Sequence, residues 1–350
     1  MKLIEKIFII LLFFCYFFIF GRPLDPEISF SPLWVENLEL TSVNSEDDED
    51  YLIDFNLDGK FGYLDRNGSI IFSENLLYGV AIDQNGFISY SRQNDVLVLK
   101  DRVGSFINTI ELSGYPYFSA NRRFIISYDS NGISEIDKDG NIVWRKTFSS
   151  SISTVSADNS LVFVGTVDGR IRLIDLKGEI LFFEDTRTSR INIVYGGSVS
   201  FNNDLMLTVT GIEPQLLSLW DKSGDNYQVQ SSWVLSNELR RHTVTGFSED
   251  GLYAYMEAEG ELLVLNLRNK KLNSIPMAGR LQNIIFPGDS GLVYIIGRDS
   301  GGLYLKISEP EGNSLFFSRI SGKEAMLRKD LNRIFIGIDE SLIGYDMESM

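Results

Sequence analysis

SLVFVGTVDGRIRLID, residues 160–175, holds two short β-rich runs on either side of the pair Asp168-Gly169. Val, Ile, Leu and Phe fill the runs, and Asp-Gly tolerates the positive φ that tight hairpin turns demand. The stretch predicts two antiparallel strands, the second ending at Asp175. The same plan returns in RFIISYDSNGISEID (123–137), GLYAYMEAEGELLVLN (251–266) and NRIFIGIDESLIGYD (332–346). A further turn stands upstream of such pairs, as in VSADNSL (155–161) and FSEDGLY (247–253).

A β-run ending in Asp and then turning toward Gly marks each copy. It reads GYLDRNG (62–68), VLKDRVG (98–104), SEIDKDG (134–140), RLIDLKG (172–178) and SLWDKSG (218–224). Weaker copies are VLNLRNK (264–270), KISEPEG (306–312) and GYDMES (344–349). The markers Asp65, Asp101, Asp137, Asp175, Asp221, Asn266, Ser308 and Asp346 are separated by 36, 36, 38, 46, 45, 42 and 38 residues. That period belongs to four-stranded propeller blades. Eight markers predict an all-β chain folded as a single closed β-propeller of eight four-stranded blades, or seven if the terminal pieces pair differently. The eighth marker has only residues 347–350 after it, so EISFSPLWVENLEL (27–40) is expected to supply the missing outer strand. Such pairing closes the ring and leaves no break at which other chains could add. The innermost strands are predicted at 79–82, 117–119, 152–156, 198–201 and 243–247, and no helical periodicity follows residue 21.

The chain of 350 residues carries a formal net charge of −16, which opposes both nucleic-acid phosphates and anionic lipid surfaces. Lys2 and Lys6 precede an unbroken apolar run, IFIILLFFCYFFIF (7–20), shorter than a membrane-crossing helix needs. Residues 1–21 therefore read as a signal peptide or N-terminal membrane anchor, and 22–350 as the propeller domain placed outside the cytoplasm. Ile19 and Gly21 stand at the −3 and −1 places before Arg22, and the bulk of Ile19 keeps the uncleaved anchor open. Phe13 and Phe14 before Cys15 do not suit a lipoprotein signal. Cleavage after Gly21 leaves no cysteine, so packing rather than disulfides must hold the fold.

DGRIRLIDLKGEI (168–180) and NGISEIDKDGNIVW (131–144) resemble quinoprotein-like propeller repeats. FSEDGLY resembles the S-x-D-G turn of WD40-like repeats, and DGKFGYLDRNGSIIF (58–72) resembles the WG-type β-repeat. The resemblance covers about residues 51–346 and implies the propeller fold. Its envelope members that assist outer-membrane protein assembly imply a scaffold role. Quinoprotein dehydrogenases hold their cofactor with recurrent tryptophans, calcium ligands and a vicinal disulfide. Here Trp34, Trp144, Trp220 and Trp233 read as sharing no column of the repeat, and cysteine is lacking, so the resemblance does not carry the cofactor.

DFNLDGKFGYLD (54–65) places Asp54, Asn56, Asp58, Gly59 and Asp65 at the 1, 3, 5, 6 and 12 positions of a calcium loop. The competing reading is an ordinary hairpin, because Asp58-Gly59 sits where other units carry Asn131-Gly132, Asp168-Gly169 and Glu259-Gly260, and Asp65 is the repeat marker. The hairpin is preferred, with calcium-dependent ligand binding as the alternative. SEDDED (45–50) reads as a solvated loop, and the lone His242 as a structural or surface residue. No GxSxG, P-loop or HExxH pattern occurs, and the predicted inner strands hold no paired carboxylates for glycoside or ester hydrolysis. The expectation is a monomeric, non-enzymatic, exported scaffold that binds a protein in the cell envelope without a cofactor. An extracytoplasmic hydrolase or lactonase is the alternative.

Overall fold

Val162–Thr166 and Arg170–Ile174 pair antiparallel as the second and third strands of a four-stranded sheet. In the computed structural model, which describes residues 32–38, 52–92, 95–158, 160–224, 226–288, 291–330 and 333–346, this sheet is one of eight. Every regular element among the described residues is a β-strand. Blade 1 spans residues 53–75, blade 2 79–110, blade 3 115–147, blade 4 152–185, blade 5 191–234, blade 6 245–276 and blade 7 280–320. Blade 8 spans 325–346 and takes its outer strand from Pro32–Asn37, which lies antiparallel on Ser341–Asp346. The ring thus closes through the two ends of the described chain, as the repeat count requires. Blade 1 shows three strands among the described residues, and 39–51 lie outside them.

The second and third strands of a blade are covered on both faces by neighbouring blades. Val162–Thr166 and Gly132–Ile136 are buried at every residue, which is why these segments read as continuous apolar runs rather than alternating ones. Outer strands such as Ile142–Thr147 bury only part of their length. Apolar clusters bridge the blades. Phe124, Ile133 and Trp144 of blade 3 meet Val155, Val162 and Ile174 of blade 4. Phe335, Met326 and Leu342 of blade 8 meet Phe55, Leu57 and Leu64 of blade 1 across the closure.

The marker aspartates have one local job. The Asp65 carboxylate accepts the amides of Asn67 and Ser69, both at 2.8 Å. Asp101, Asp137 and Asp175 accept the amides two and four residues on in the same way. Each satisfies a turn between third and outer strands that would otherwise leave amides unpaired. Two markers depart from the reading. At Asp221 no turn forms, because the ladder runs on to Ser223 and the reversal comes at Gly224. At Ser308 the turn is organised one residue later, by Glu309.

The tryptophan reading is corrected. Trp34, Phe72, Asn108, Trp144 and Phe182 occupy one column, opposite Gly344, Tyr63, Leu99, Glu135 and Leu173 on the third strands. Trp34 and Trp144 therefore recur at one place. From that column the first four side chains cover the turn glycine of the next blade. A Cβ at Gly68 would lie 2.6 Å from the Trp34 ring, at Gly104 2.5 Å from Phe72, and at Gly178 2.6 Å from Trp144. Trp34 Nε1 also donates to the Arg66 carbonyl at 3.1 Å. Phe182 meets no such glycine, since blade 5 lacks the turn, and packs instead edge-on to Trp220 and Tyr227 at 6.0 and 5.4 Å. The column was hidden because its occupants vary from tryptophan to phenylalanine to asparagine, and because only the pairing of Trp34 with Gly344 fixes the register of residues 32–37 on the last strand.

Gly68, at φ 94°, combines unfavourable backbone with a blocked Cβ site, whereas Gly59, at φ 68°, has nothing within 4 Å of its Cβ site. Gly59→Ala is expected to lower unfolding free energy by about 1 kcal/mol from backbone strain alone. Gly68→Ala is expected to cost about 3 kcal/mol, because Trp34 must also leave its seat across the ring closure. Urea unfolding of the two variants side by side measures the difference, and equal losses would refute the docking role of Trp34.

Candidate functional site

Antiparallel meanders sort the connections between the described strands onto two faces. Links from outer strand to next inner strand, and turns between second and third strands, share one face. The remaining turns share the other.

On that second face three arginines are locked to carboxylates. The Arg123 guanidinium meets Asp83 of the preceding blade at 2.7 and 2.8 Å, and both are buried. Arg122 meets Glu135 within blade 3 at 2.7 and 2.6 Å. Arg66 reaches Asp330 across the closure at 2.5 Å. The sequence reading passed over these pairs. Their signal was an arginine doublet, Arg122-Arg123, opening a strand that is otherwise apolar. Charges in such a place must be paired, because desolvation outweighs what a lone ion gains. These pairs hold neighbouring strands and blades and are engaged on both sides.

Inner-strand predictions hold at 79–82, 117–119 and 152–156, within Gly79–Asp83, Tyr115–Ser119 and Ile152–Ala157. The blade 5 strand is longer than predicted, Ile191–Val199, and leaves Phe201 exposed beyond it; the blade 6 strand is Thr245–Phe247. Acidic groups beside these strands are matched with arginine. Arg241 holds Glu257 at 2.5 and 3.0 Å, and Arg328 holds Asp54 at 2.7 and 3.0 Å.

That last pair bears on the proposed calcium ligands. Asp54 lies on Ile53–Leu57 with its carboxylate held by Arg328. Asn56 is exposed on the same strand. Asp58, at φ 50°, forms the tip of a two-residue turn with Gly59, and its amide donates to Glu324 at 2.9 Å. Asp65 is engaged by its own turn. The segment is thus a hairpin in which the Asp54 and Asp65 carboxylates serve separate partners. Among the described residues no group of three or more His, Cys, Asp or Glu side chains is arranged to hold a metal ion. His242 is exposed between blades 5 and 6. The acidic run 45–50 and the apolar segment 1–21 lie outside the described residues.

The first face carries a different chemistry. Tyr78, Tyr90, Tyr115 and Tyr128 form a ladder across blades 2 and 3, with ring centroids 6.0, 6.2 and 5.0 Å apart and successive planes at 72°, 67° and 76°. Tyr90 pairs opposite Gly79, and a Cβ at Gly79 would lie 2.4 Å from its ring, so glycine there admits the ladder. Tyr78 and Tyr115 are exposed. Burial, then the nearby hydroxyls of Tyr78 and Tyr115, push the Tyr90 phenol above its ordinary 10.0. Beside the ladder, between blades 2 and 3, lies a cleft of about 370 Å³ lined by Glu111, Ser113, Asp129, Asn131, Arg145 and Thr147, among others. Its turn is built by Ser127, whose hydroxyl donates to Asp129 and accepts the Gly132 amide at 2.8 Å. The Ser127 hydroxyl holds the Asp129 carboxyl below its ordinary 3.8.

A family model described as beta-propeller protein matches residues 2–350. An uncharacterized protein of Treponema pallidum (strain Nichols) is 21% identical over 341 residues, covering 95% of this chain and 90% of that one. The crystal structure of BamB from Moraxella catarrhalis superposes with a TM-score of 0.63 at 15% identity, covering 91% of this chain and 100% of BamB. The computationally designed Ika8 protein superposes with a TM-score of 0.64 at 13% identity, covering 89% and 99%. At these identities the likeness is one of fold.

Breaking the Asp83–Arg123 pair strands a buried guanidinium. Asp83→Ala is expected to lower stability by about 3–5 kcal/mol. Adding Arg123→Met, which removes the orphaned charge, is expected to restore much of that loss. Denaturant titration of the two variants is the check, and a double variant as unstable as the sum of its parts would contradict it.

Proposed function

Because the chain belongs to the β-propeller protein family, we propose that it is an exported, non-enzymatic scaffold of the quinoprotein-like kind, holding a protein partner in the cell envelope. The carrying observation is the apolar outer rim of two successive blades. Ile142–Thr147 and Ile180–Asp185 are the outermost strands of blades 3 and 4, each hydrogen-bonded to a neighbouring strand on one side only. Ile142, Val143, Ile180, Leu181 and Phe183 on them are exposed. An extended segment of another protein can add to such an edge through its backbone while apolar side chains supply contact area.

Other features support the same reading. A closed ring of eight sheets gives each rim a rigid mount, so docking requires little ordering of the scaffold. The acidic groups beside the inner strands are tied to arginines instead of converging as a hydrolase would need. The fold likeness to BamB and the quinoprotein-like repeats favour an envelope role, and the basic start with its apolar run favours export. Nothing in this reading calls for a cofactor or a second copy of the chain.

Val143→Lys combined with Leu181→Lys places two charges on the rim without touching the core. The melting temperature is expected to stay within the small range of surface substitutions. Crosslinked partner recovered from native envelopes is expected to fall at least fivefold. Recovery of the same partner in equal yield, or of none from the unaltered protein in repeated trials, would sink the proposal.

A further inference from the structure

We infer that the first face of blades 2 and 3 carries a binding site for a neutral oligosaccharide of linked pyranose units, formed by the tyrosine ladder and the polar cleft beside it. This site lies apart from the outer rim and does not rest on the scaffold reading.

Two independent features converge on sugar chemistry. Each edge-to-face contact covers one face of one ring, and the faces left open on the exposed members accept the polarised C–H groups of a pyranose. Tyr78 and Tyr115 are the exposed members, and the centroid steps of 5.0 to 6.2 Å are comparable to one sugar unit. The cleft supplies the complementary half. Asp129 and Glu111 are acceptors for hydroxyl donors, Asn131 is both donor and acceptor, and Arg145 is a planar donor. Arg145 is held through Nε to Ser134 Oγ at 3.2 Å, which leaves its two terminal nitrogens without a partner among the described residues. Adjacent hydroxyls of a pyranose match such paired donors and acceptors.

Competing ligands fit less well. Phosphate or nucleic acid would meet Glu111 and Asp129 in a chain of net charge −16. A folded or helical peptide would want an open apolar anchor pocket, and the apolar members of this lining, Leu112, Ile125 and Ile133, are buried, so its open groups are chiefly carboxylate, amide, guanidinium and hydroxyl.

The test is calorimetric titration of the full chain with cellotetraose, maltotetraose and chitotetraose. At least one is expected to bind saturably, with a dissociation constant on the order of 10⁻⁴ M. Tyr115→Ala and Arg145→Ala are each expected to weaken that binding at least tenfold, and Phe106→Ala, on the outer strand of blade 2, to leave it unchanged. Tyr78→Ala, at a side chain 52% exposed, tests the ladder without risk to folding. Absence of saturable binding to all three sugars overturns the proposal. So does binding that survives Tyr78→Ala and Arg145→Ala, or saturable binding of a proline-rich peptide with no response to the sugars.

Discussion

Face-to-face burial of neighbouring blades is the constraint on which everything else hangs. A single four-stranded sheet has two apolar faces in its middle strands and cannot cover either alone. Eight such sheets around an axis cover one another, provided that the last meets the first. The strand Pro32–Asn37 makes that junction by completing blade 8, and Trp34 on it packs against the Gly68 turn of blade 1. The same aromatic-on-glycine contact is repeated by Phe72 and Trp144 further round. Closure is therefore one more copy of the ordinary contact between blades.

Once the ring is rigid, its two faces and its rim are free to differ. One face holds strands and blades together through the buried pairs Asp83–Arg123 and Glu135–Arg122 and through Asp330–Arg66. The other presents tyrosines and a polar cleft. Apolar side chains on the outer strands of blades 3 and 4 face solvent at the edges of sheets whose interiors are already packed. Loops and edges can thus vary without disturbing the core, which is the general reason that such scaffolds host unrelated functions.

The repeat was legible because its turn chemistry is local. An aspartate that accepts two amides and a glycine three residues on are demanded by the turn itself, so Asp65, Asp101, Asp137 and Asp175 stand out in the chain. In blade 5 the marker SLWDKSG is present but makes no such turn, because the third strand continues past Asp221. The docking column was missed for another reason. At Asn108 the column carries no aromatic, and Trp34 stands far in sequence from the strand beside it. Of the candidate site, Asp54, Asn56 and Asp58 could be found by spacing, yet spacing does not say which charge a carboxylate will meet. Arg328, 274 residues away, decided that for Asp54.

By itself the sequence determined the class of fold and the period of its repeat, because hairpin turns and strand periodicity are properties of short segments and their repetition; the pairing of the two ends, which decides eight blades over seven, is a tertiary contact. Only the tertiary structure decided which residues meet. The ion pairs between blades, the tyrosine ladder and the cleft join side chains from separate units, and their distances depend on the angle and spacing at which finished sheets stack. That geometry is a sum over all eight contacts around the ring, and no local stretch of chain contains it.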